Sequence, residues 1–354
     1  MSKSGGWVRC SLKMRCPICD HSHYCTISAD GSVVNCRRIA QGGEERRDRG
    51  GAIYYVHRLN GKAKVVGAPI EAGRQKLPRA DAETLHRVYS TMLAAFPLRG
   101  VHRENLKRRG LVDREIDQRG YASLPEHERA RVARDLRQRF GDVIFSVPGI
   151  VVRGDQERYV TIAGWSGMMI PVRTIDGKIA AIKIRSDEEQ SDRRYRYLSS
   201  AGSGGPSPGA MVHVPRGCVG GPVVRLTEGE LKADVAFALS ALPTISIPGV
   251  GNWMPAIGIL QAMRCQTVRL AFDADACQVV EVARALSECA RGCVGAGFAV
   301  EMEIWDRAYK GIDDALAAGK QTEVLSGEQA ESAFRVLVFA AKLSKKQNER
   351  KMEE

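Results

Sequence analysis

No stretch of these 354 residues approaches the roughly 20 consecutive apolar positions that a membrane-spanning helix needs. The N-terminus lacks an apolar core of the secretory kind, so the ten cysteines are expected as reduced thiols or metal ligands in a cytoplasm. There is no Gly-x-x-x-x-Gly-Lys-Ser/Thr loop: Gly319-Lys320 lacks the upstream glycine at the needed spacing, which excludes a fused P-loop motor. Beyond Ala340 only a short charged tail is read, Lys342 to Glu354. Acidic charge is the scarcer sign, 41 Asp and Glu against 53 Lys and Arg, for a net charge of +12. The imbalance is local. Residues 1–64 carry a net +7 and residues 99–139 a net +5, whereas residues 223–320 carry −3. A basic surface beside an acidic centre suggests a polyphosphate or nucleic-acid substrate held by its phosphates, although basic charge alone is commonly a solvated face. The length allows two or three domains with cores of their own.

What is present begins with a cysteine cluster. Cys16-Pro-Ile-Cys19 is half of many zinc sites, and Cys25 and Cys36 follow. Asp30-Gly31 is a two-residue hairpin turn between Thr26-Ile27-Ser28 and Val33-Val34-Asn35. In that register paired positions sum to 61, which sets Cys25 opposite Cys36 on one face, close enough for both sulfurs to reach one tetrahedral Zn²⁺. Cys16, Cys19, Cys25 and Cys36 are the expected structural zinc ligands; His21 and His23 are rivals and Cys10 a spare. Arg37 and Arg38, just past the last ligand, could meet phosphates.

Tyr54–Val56 and Lys64–Val66 flank Asn60-Gly61, a second hairpin signal. A linker is expected over 67–80, then helices: one from Asp81 as cap with Leu85, Val88, Met92 and Leu93 on one face, two short ones at 102–110 and 113–116, and a fourth over 129–140. From Ile144 the texture changes. Two strands, Met168–Arg173 and Ile179–Arg185, enclose an Asp176-Gly177 turn, with Arg194-Tyr-Arg-Tyr-Leu-Ser-Ser200 and a Gly/Ser/Pro segment after them.

Three groups of carboxylates lie further on: Thr227-Glu228-Gly229, Asp273-Ala-Asp275 and Lys310-Gly-Ile-Asp313-Asp314. The first two follow short apolar runs, 222–226 and 267–272, that alternate with helical patterns and so read as buried parallel strands. Ligands of parallel sheets gather beyond the carboxyl ends of the strands, where Glu228 and Asp273 fall. A single strand-end aspartate is commonly a cap or turn residue. Together these carboxylates repel one another and call for cations, and hard oxygen ligands suit Mg²⁺ shared with a phosphate. Gly229 permits a sharp turn into the helix that follows. Cys265, Cys277, Cys289 and Cys293 read as packing thiols.

These motifs, in this order, resemble a Toprim domain, the metal-dependent fold of bacterial primases, topoisomerases and some nucleases. The strand pair before them is similar to the basic subdomain that precedes Toprim in bacterial replicative primases, with a Pro-Ile-Arg, Gly-turn, strand-to-Arg, Lys-Tyr-Leu-Asn-Ser pattern; here Ser199 replaces the Asn. Zinc ribbon, basic strand pair and Toprim in succession resemble primase-like Toprim proteins of bacterial mobile elements. The resemblance implies Mg²⁺ or Mn²⁺ on Asp273, Asp275, Asp313 and Asp314, with Glu228 as a further ligand or a base. It implies contacts to template and nucleotide phosphates from Arg173, Lys183, Arg185, Arg196, Tyr197, Lys232 and Lys310, although Lys232 also reads as a solvated helix lysine.

The expected fold class is therefore α/β: a zinc ribbon (1–66), a linker and helical basic region (67–143), a basic nucleotide-binding subdomain (144–222), a parallel-sheet Toprim domain (223–341) and the charged tail. The expected activity is primer synthesis on single-stranded DNA from nucleoside triphosphates, by a cytoplasmic nucleotidyltransferase recruited by a separate helicase or initiator. A Toprim nuclease and a non-catalytic DNA-binding replication protein are the alternatives. A topoisomerase would need a gate domain for which the chain has no room.

Overall fold

Two compact units, Met1–Gln75 and Lys76–Glu354, make up the computed structural model. It describes residues 6–11, 14–21, 24–47, 53–65, 77–154, 157–188, 194–273, 280–337 and 339. In the first unit, short strands β1 (Trp7–Arg9), β2 (Thr26–Ser28), β3 (Val33–Cys36), β4 (Glu44–Arg47) and β5 (Ile53–Arg58) form one antiparallel sheet in the order β1-β2-β3-β5-β4. Thr26 pairs with Asn35 and Ile27 with Val34, the register that the Asp30-Gly31 turn predicts. The core is small: Val8, Ile27 and Val34, with cysteines supplying much of the remainder.

The second hairpin differs from expectation. Tyr54–Val56 lies within β5, but its partners are β3 and β4. Residues 62–65 form no strand; Ala63 folds back on the β2–β3 turn and donates its N–H to the Gly31 carbonyl at 2.9 Å. The Glu-Glu-Arg-Arg of β4 is exposed throughout, so it has no hydrophobic alternation to announce it, yet it supplies the edge pairing.

In the second unit, helices α1 (Ala82–Ala94), α2 (Gly100–Arg108), α3 (Asp113–Arg119) and α4 (Arg129–Phe140) surround an antiparallel sheet. That sheet runs β11-β10-β9-β6, from β6 (Ala122–Leu124), β9 (Gly167–Arg173), β10 (Ile179–Ser186) and β11 (Tyr195–Tyr197); β7 (Ile150–Arg153) and β8 (Tyr159–Ile162) form a separate hairpin. Asp81 caps α1 by accepting from the Thr84 N–H at 2.8 Å. The buried face of α1 (Leu85, Val88, Met92) packs with Val132 and Leu136 of α4 and with Ile182 and Ile184 of β10. The helical stretch and the basic strand pair thus share one core, and a boundary at residue 143 runs through it.

The remainder alternates: β12 (Val223–Glu228), α5 (Glu230–Ser240), β13 (Thr244–Ile247), α6 (Met254–Ala262), β14 (Thr267–Leu270), α7 (Val280–Gly295), β15 (Ala299–Ile304), α8 (Ile312–Ala317) and β16 (Glu323–Leu325). The sheet order is β13-β12-β14-β15-β16, parallel except for β16, an antiparallel edge strand that the sequence pattern did not suggest. Val224, Leu226, Ile245, Ile247 and Val268 are fully buried at its centre, and Cys265, Cys289 and Cys293 pack there as thiols. Cys277 lies outside the described residues. Among the described residues no helix is long and apolar enough to cross a membrane.

One ion pair crosses this sheet. Arg225 of β12 donates from Nε and Nη2 to both oxygens of Glu303 on β15, at 2.6 and 2.9 Å, and both residues are 3% exposed. Removing one member leaves the other charge buried and unpaired. Glu303→Leu is therefore expected to lower stability by about 3–5 kcal/mol, and Arg225→Met with Glu303→Leu to recover most of it, as read by urea unfolding.

Candidate functional site

In the first unit the sulfurs of Cys16, Cys19, Cys25 and Cys36 all lie within 4.8 Å of one another, the only such group of three or more metal-binding side chains among the described residues. Cys19 and Cys25 sulfurs are 3.7 Å apart, Cys25 and Cys36 4.0 Å. Four sulfurs at about 2.3 Å from a tetrahedral Zn²⁺ sit about 3.8 Å apart, so the set fits zinc. Backbone N–H groups already point at the sulfurs: Arg37 at Cys25 (3.4 Å), Arg38 and Ile39 at Cys36 (3.4 and 3.3 Å). Such donors stabilise thiolates. His21 is exposed with Nδ1 on the Cys19 carbonyl, away from the cluster, and His23 lies outside the described residues. Cys10 is buried nearby; burial, reinforced by Cys16, pushes its thiol up to about 12 and keeps it protonated.

In the second unit the carboxylates sit where the parallel sheet ends. Glu228 is the last residue of β12, and Asp273 follows β14, which is hydrogen-bonded to β12. Gly229, at φ +93°, turns the chain directly into α5, as only glycine does without strain. From the first turn of α5, Lys232 ion-pairs with Asp273. Asp313 stands in the first turn of α8, 2% exposed. Its Oδ2 accepts from Arg109 Nη1 at 2.8 Å; its Oδ1 is buried with no hydrogen-bond partner. Burial, then the charge of Asp314, raises this carboxyl above the usual range, against the pull of Arg109 and Lys232. Gly311 makes the arrangement possible by its size: a Cβ there would lie 2.3 Å from Asp313 Oδ1 and 3.2 Å from Lys232 Cε. Asp314 is exposed and accepts from the Gly311 N–H at 3.3 Å, and Lys310 is exposed just before that cap. Asp275 lies outside the described residues. The described carboxylates do not close into a metal cage by themselves; the Lys232 ammonium lies among them. The orphaned, buried Oδ1 of Asp313 is an oxygen of the hard kind that a divalent cation takes.

The basic strand pair borders this centre, but its side chains differ in what they do. Arg173 is 6% exposed and donates to the carbonyls of Gly177 (3.1 Å) and Arg119 (3.0 Å). Lys183 and Tyr197, directly paired across β10 and β11, both bind Glu230: Lys183 Nζ at 2.6 Å and the Tyr197 hydroxyl at 2.7 Å. Burial, then the Glu230 charge, pushes the Tyr197 hydroxyl up, so it stays a donor. Arg196 stacks on Trp165, its Cζ 3.5 Å from the ring centroid. The Arg185 Nε is buried without a hydrogen-bond partner. Burial lowers its guanidinium pKa, and the nearby charges of Arg194 and Arg109 lower it further.

Sequence reasoning missed three of the groups that organise the site. Arg109, at the C-terminal end of α2, is indistinguishable by pattern from Lys107 and Arg108, yet it alone of the three reaches Asp313. Glu230 and Asp234 are acids on an alanine-rich helix whose pattern assigns them no partner. Asp234 is fully enclosed by Arg119 (3.3 Å), the Tyr121 hydroxyl (2.6 Å) and His213 Nε2 (3.2 Å). Burial works against its ionisation, but His213, Arg119 and Tyr121 together hold the carboxyl below its ordinary value. His213 Nδ1 accepts from the Arg173 N–H, so the proton is on Nε2, facing Asp234.

No protein-family model matches the chain, and no curated protein does. Solved structures share its fold. The zinc-binding and RNA polymerase domains of the Aquifex aeolicus primase align over 92% of this chain and 81% of that one, with a TM-score of 0.52 and 12% identity. The RNA polymerase domain of Mycobacterium tuberculosis primase DnaG, in complex with a double-stranded DNA oligomer with a 6-nucleotide overhang, aligns over 73% and 81%, at 0.52 and 13%. A DNA primase domain from Pseudomonas aeruginosa aligns over 72% and 78%, at 0.50 and 15%. The chain has the mixed α/β architecture of these primase domains, with the four-cysteine cluster in its N-terminal unit.

The zinc reading has a direct check. Purified protein is expected to hold one equivalent of zinc, released by thiol-reactive titration. Cys36→Ser should lose it and leave residues 1–75 open to limited proteolysis, since a core this small depends on the metal.

Proposed function

We propose that this chain is a DNA primase-like nucleotidyltransferase of a bacterial plasmid, phage or integrative element, joining nucleoside triphosphates into short primers on single-stranded DNA. The observation that supports this most is Arg109. It binds Asp313 and lies close enough to Arg185 to lower that residue's pKa, so an acidic centre and a basic strand pair lie side by side in one unit. Template-directed phosphoryl transfer needs both, carboxylates for a divalent metal and cations for phosphates. The fold neighbours are primases, and the Mycobacterium tuberculosis domain was solved on DNA.

Bound Mg²⁺ or Mn²⁺ supplies charge stabilisation at the transferring phosphoryl group and acidifies the attacking 3′-hydroxyl. Glu228, Asp273 and Asp313 are the side chains to hold it, with Asp275 and Asp314 of the same motifs. Glu228, at an open strand end, is alternatively the base for the hydroxyl proton. Arg185, whose Nε has no protein acceptor, is a further cation for a phosphate. Arg196 on Trp165 offers a stacked cationic plane of the kind that bases and phosphates meet. Lys183, Tyr197 and Arg173 act one step back, holding the strand pair in place. Lys310 and Lys232 flank the carboxylates as further phosphate partners. The zinc unit is structural, and a separate helicase or initiator brings the protein to its template.

Asp273→Asn is expected to cut primer synthesis on single-stranded DNA by about 100-fold or more while zinc content and melting stay unchanged. Full synthesis by that variant, or synthesis by zinc-loaded protein with Mg²⁺ and Mn²⁺ omitted, would refute the mechanism. Degradation of labelled DNA without nucleoside triphosphates would identify a nuclease instead.

A further inference from the structure

The acidic centre already contains a cation. Two of its aspartates are ion-paired with side chains, Asp313 with Arg109 and Asp273 with Lys232. The two cations are not equivalent. Arg109 takes the Oδ2 of Asp313 and leaves the buried Oδ1 without a partner, so a metal that reaches Oδ1 need not displace Arg109. Lys232 binds Oδ1 of Asp273, a position a metal would use. Its stem runs against Gly311, 3.2 Å from where a Cβ would stand, and that same point is 2.3 Å from Asp313 Oδ1. The ammonium chain therefore lies along the gap between the two aspartates. It is partly exposed, 23% at the side chain, so it can turn outward, and a lysine stem is flexible enough to do so.

We propose that Lys232 is a resident counter-cation that a divalent ion must displace from Asp273, so that metal loading and release of the ammonium are one exchange. The inference rests on the reading of the carboxylates as the metal site and assigns Lys232 a role within it. In the metal-free protein the lysine relieves the repulsion between Asp273 and its neighbours. On loading it gives up Asp273 and stays tethered beside the ion, where the phosphate of an incoming nucleotide is the available anion. Metal then binds more weakly without nucleotide than with it, because the displaced charge has no partner until the phosphate arrives.

The test titrates Mn²⁺ into the zinc-loaded, full-length protein without nucleotide, reading bound ion from the loss of the free Mn²⁺ paramagnetic resonance signal. Lys232→Met is expected to bind about tenfold more tightly than the parent, because the competing positive charge is gone. Lys232→Gln gives a second neutral variant should the methionine fail to fold. Lys232→Arg, which keeps the charge, should bind no more tightly than the parent. Equal or weaker Mn²⁺ binding by the neutral variants overturns the exchange. Asp313→Asn, made in the parent and in Lys232→Met, separates this from the function itself. If it leaves Mn²⁺ binding unchanged in both, the carboxylates are not the metal site and both readings fall. If it abolishes binding while Lys232→Met still matches the parent, only the exchange falls.

Discussion

Two acidic side chains on consecutive turns of one helix, Glu230 and Asp234, are each about 2% exposed. A buried carboxylate is costly unless charge and hydrogen bonds surround it, and here nearly all of those come from outside the parallel sheet. Lys183 and Tyr197 reach Glu230 from the basic strand pair; Arg119, Tyr121 and His213 enclose Asp234. Because only Gly229 separates Glu228 from the start of α5, these contacts fix the strand end as well as the helix. The approach of Arg109 to Asp313, and of Arg185 to Arg109, follows from that docking. The geometry of the candidate site is thus set by two acids that take no part in its chemistry.

The same account explains why so many basic residues of the strand pair turn inward. A chain with a net charge of +12 has cations to spare on its surface, but a sheet that must meet an acidic helix needs them at the seam. Lys183 serves there on Glu230, while Arg173, also buried, is held by the Gly177 and Arg119 carbonyls and Arg196 lies on Trp165. In the N-terminal unit the problem is different. Its core has few aliphatic side chains, and four converging thiols take the place that a larger domain gives to leucine and valine.

Elements specified by local pattern were legible in the sequence. The Asp81 cap, the register about Asp30-Gly31 and the strand–helix alternation from Val223 to Ile304 all rest on short-range chemistry, and the structure has them. The pairing of β5 was misjudged because Asn60-Gly61 carries a strong turn signal, whereas β4 carries none. The long-range ion pairs were illegible for a plainer reason. Arg109 and Asp313 are 204 positions apart, and Tyr121 and Asp234 are 113 apart. Nothing in the neighbourhood of either partner distinguishes a lysine or glutamate bound for the interior from one bound for water. The carboxylates of the candidate site belong to local motifs; the groups that position them do not.

The seam along α5 also bears on how such a protein can change over generations. A recombination that exchanged the parallel-sheet half for a relative's would bring new neighbours to Glu230 and Asp234 and strand two anions in the interior. Exchange of one half alone, or replacement of Lys183 or Arg119 without a matching change in the acid across the seam, would leave a buried acid without its partner.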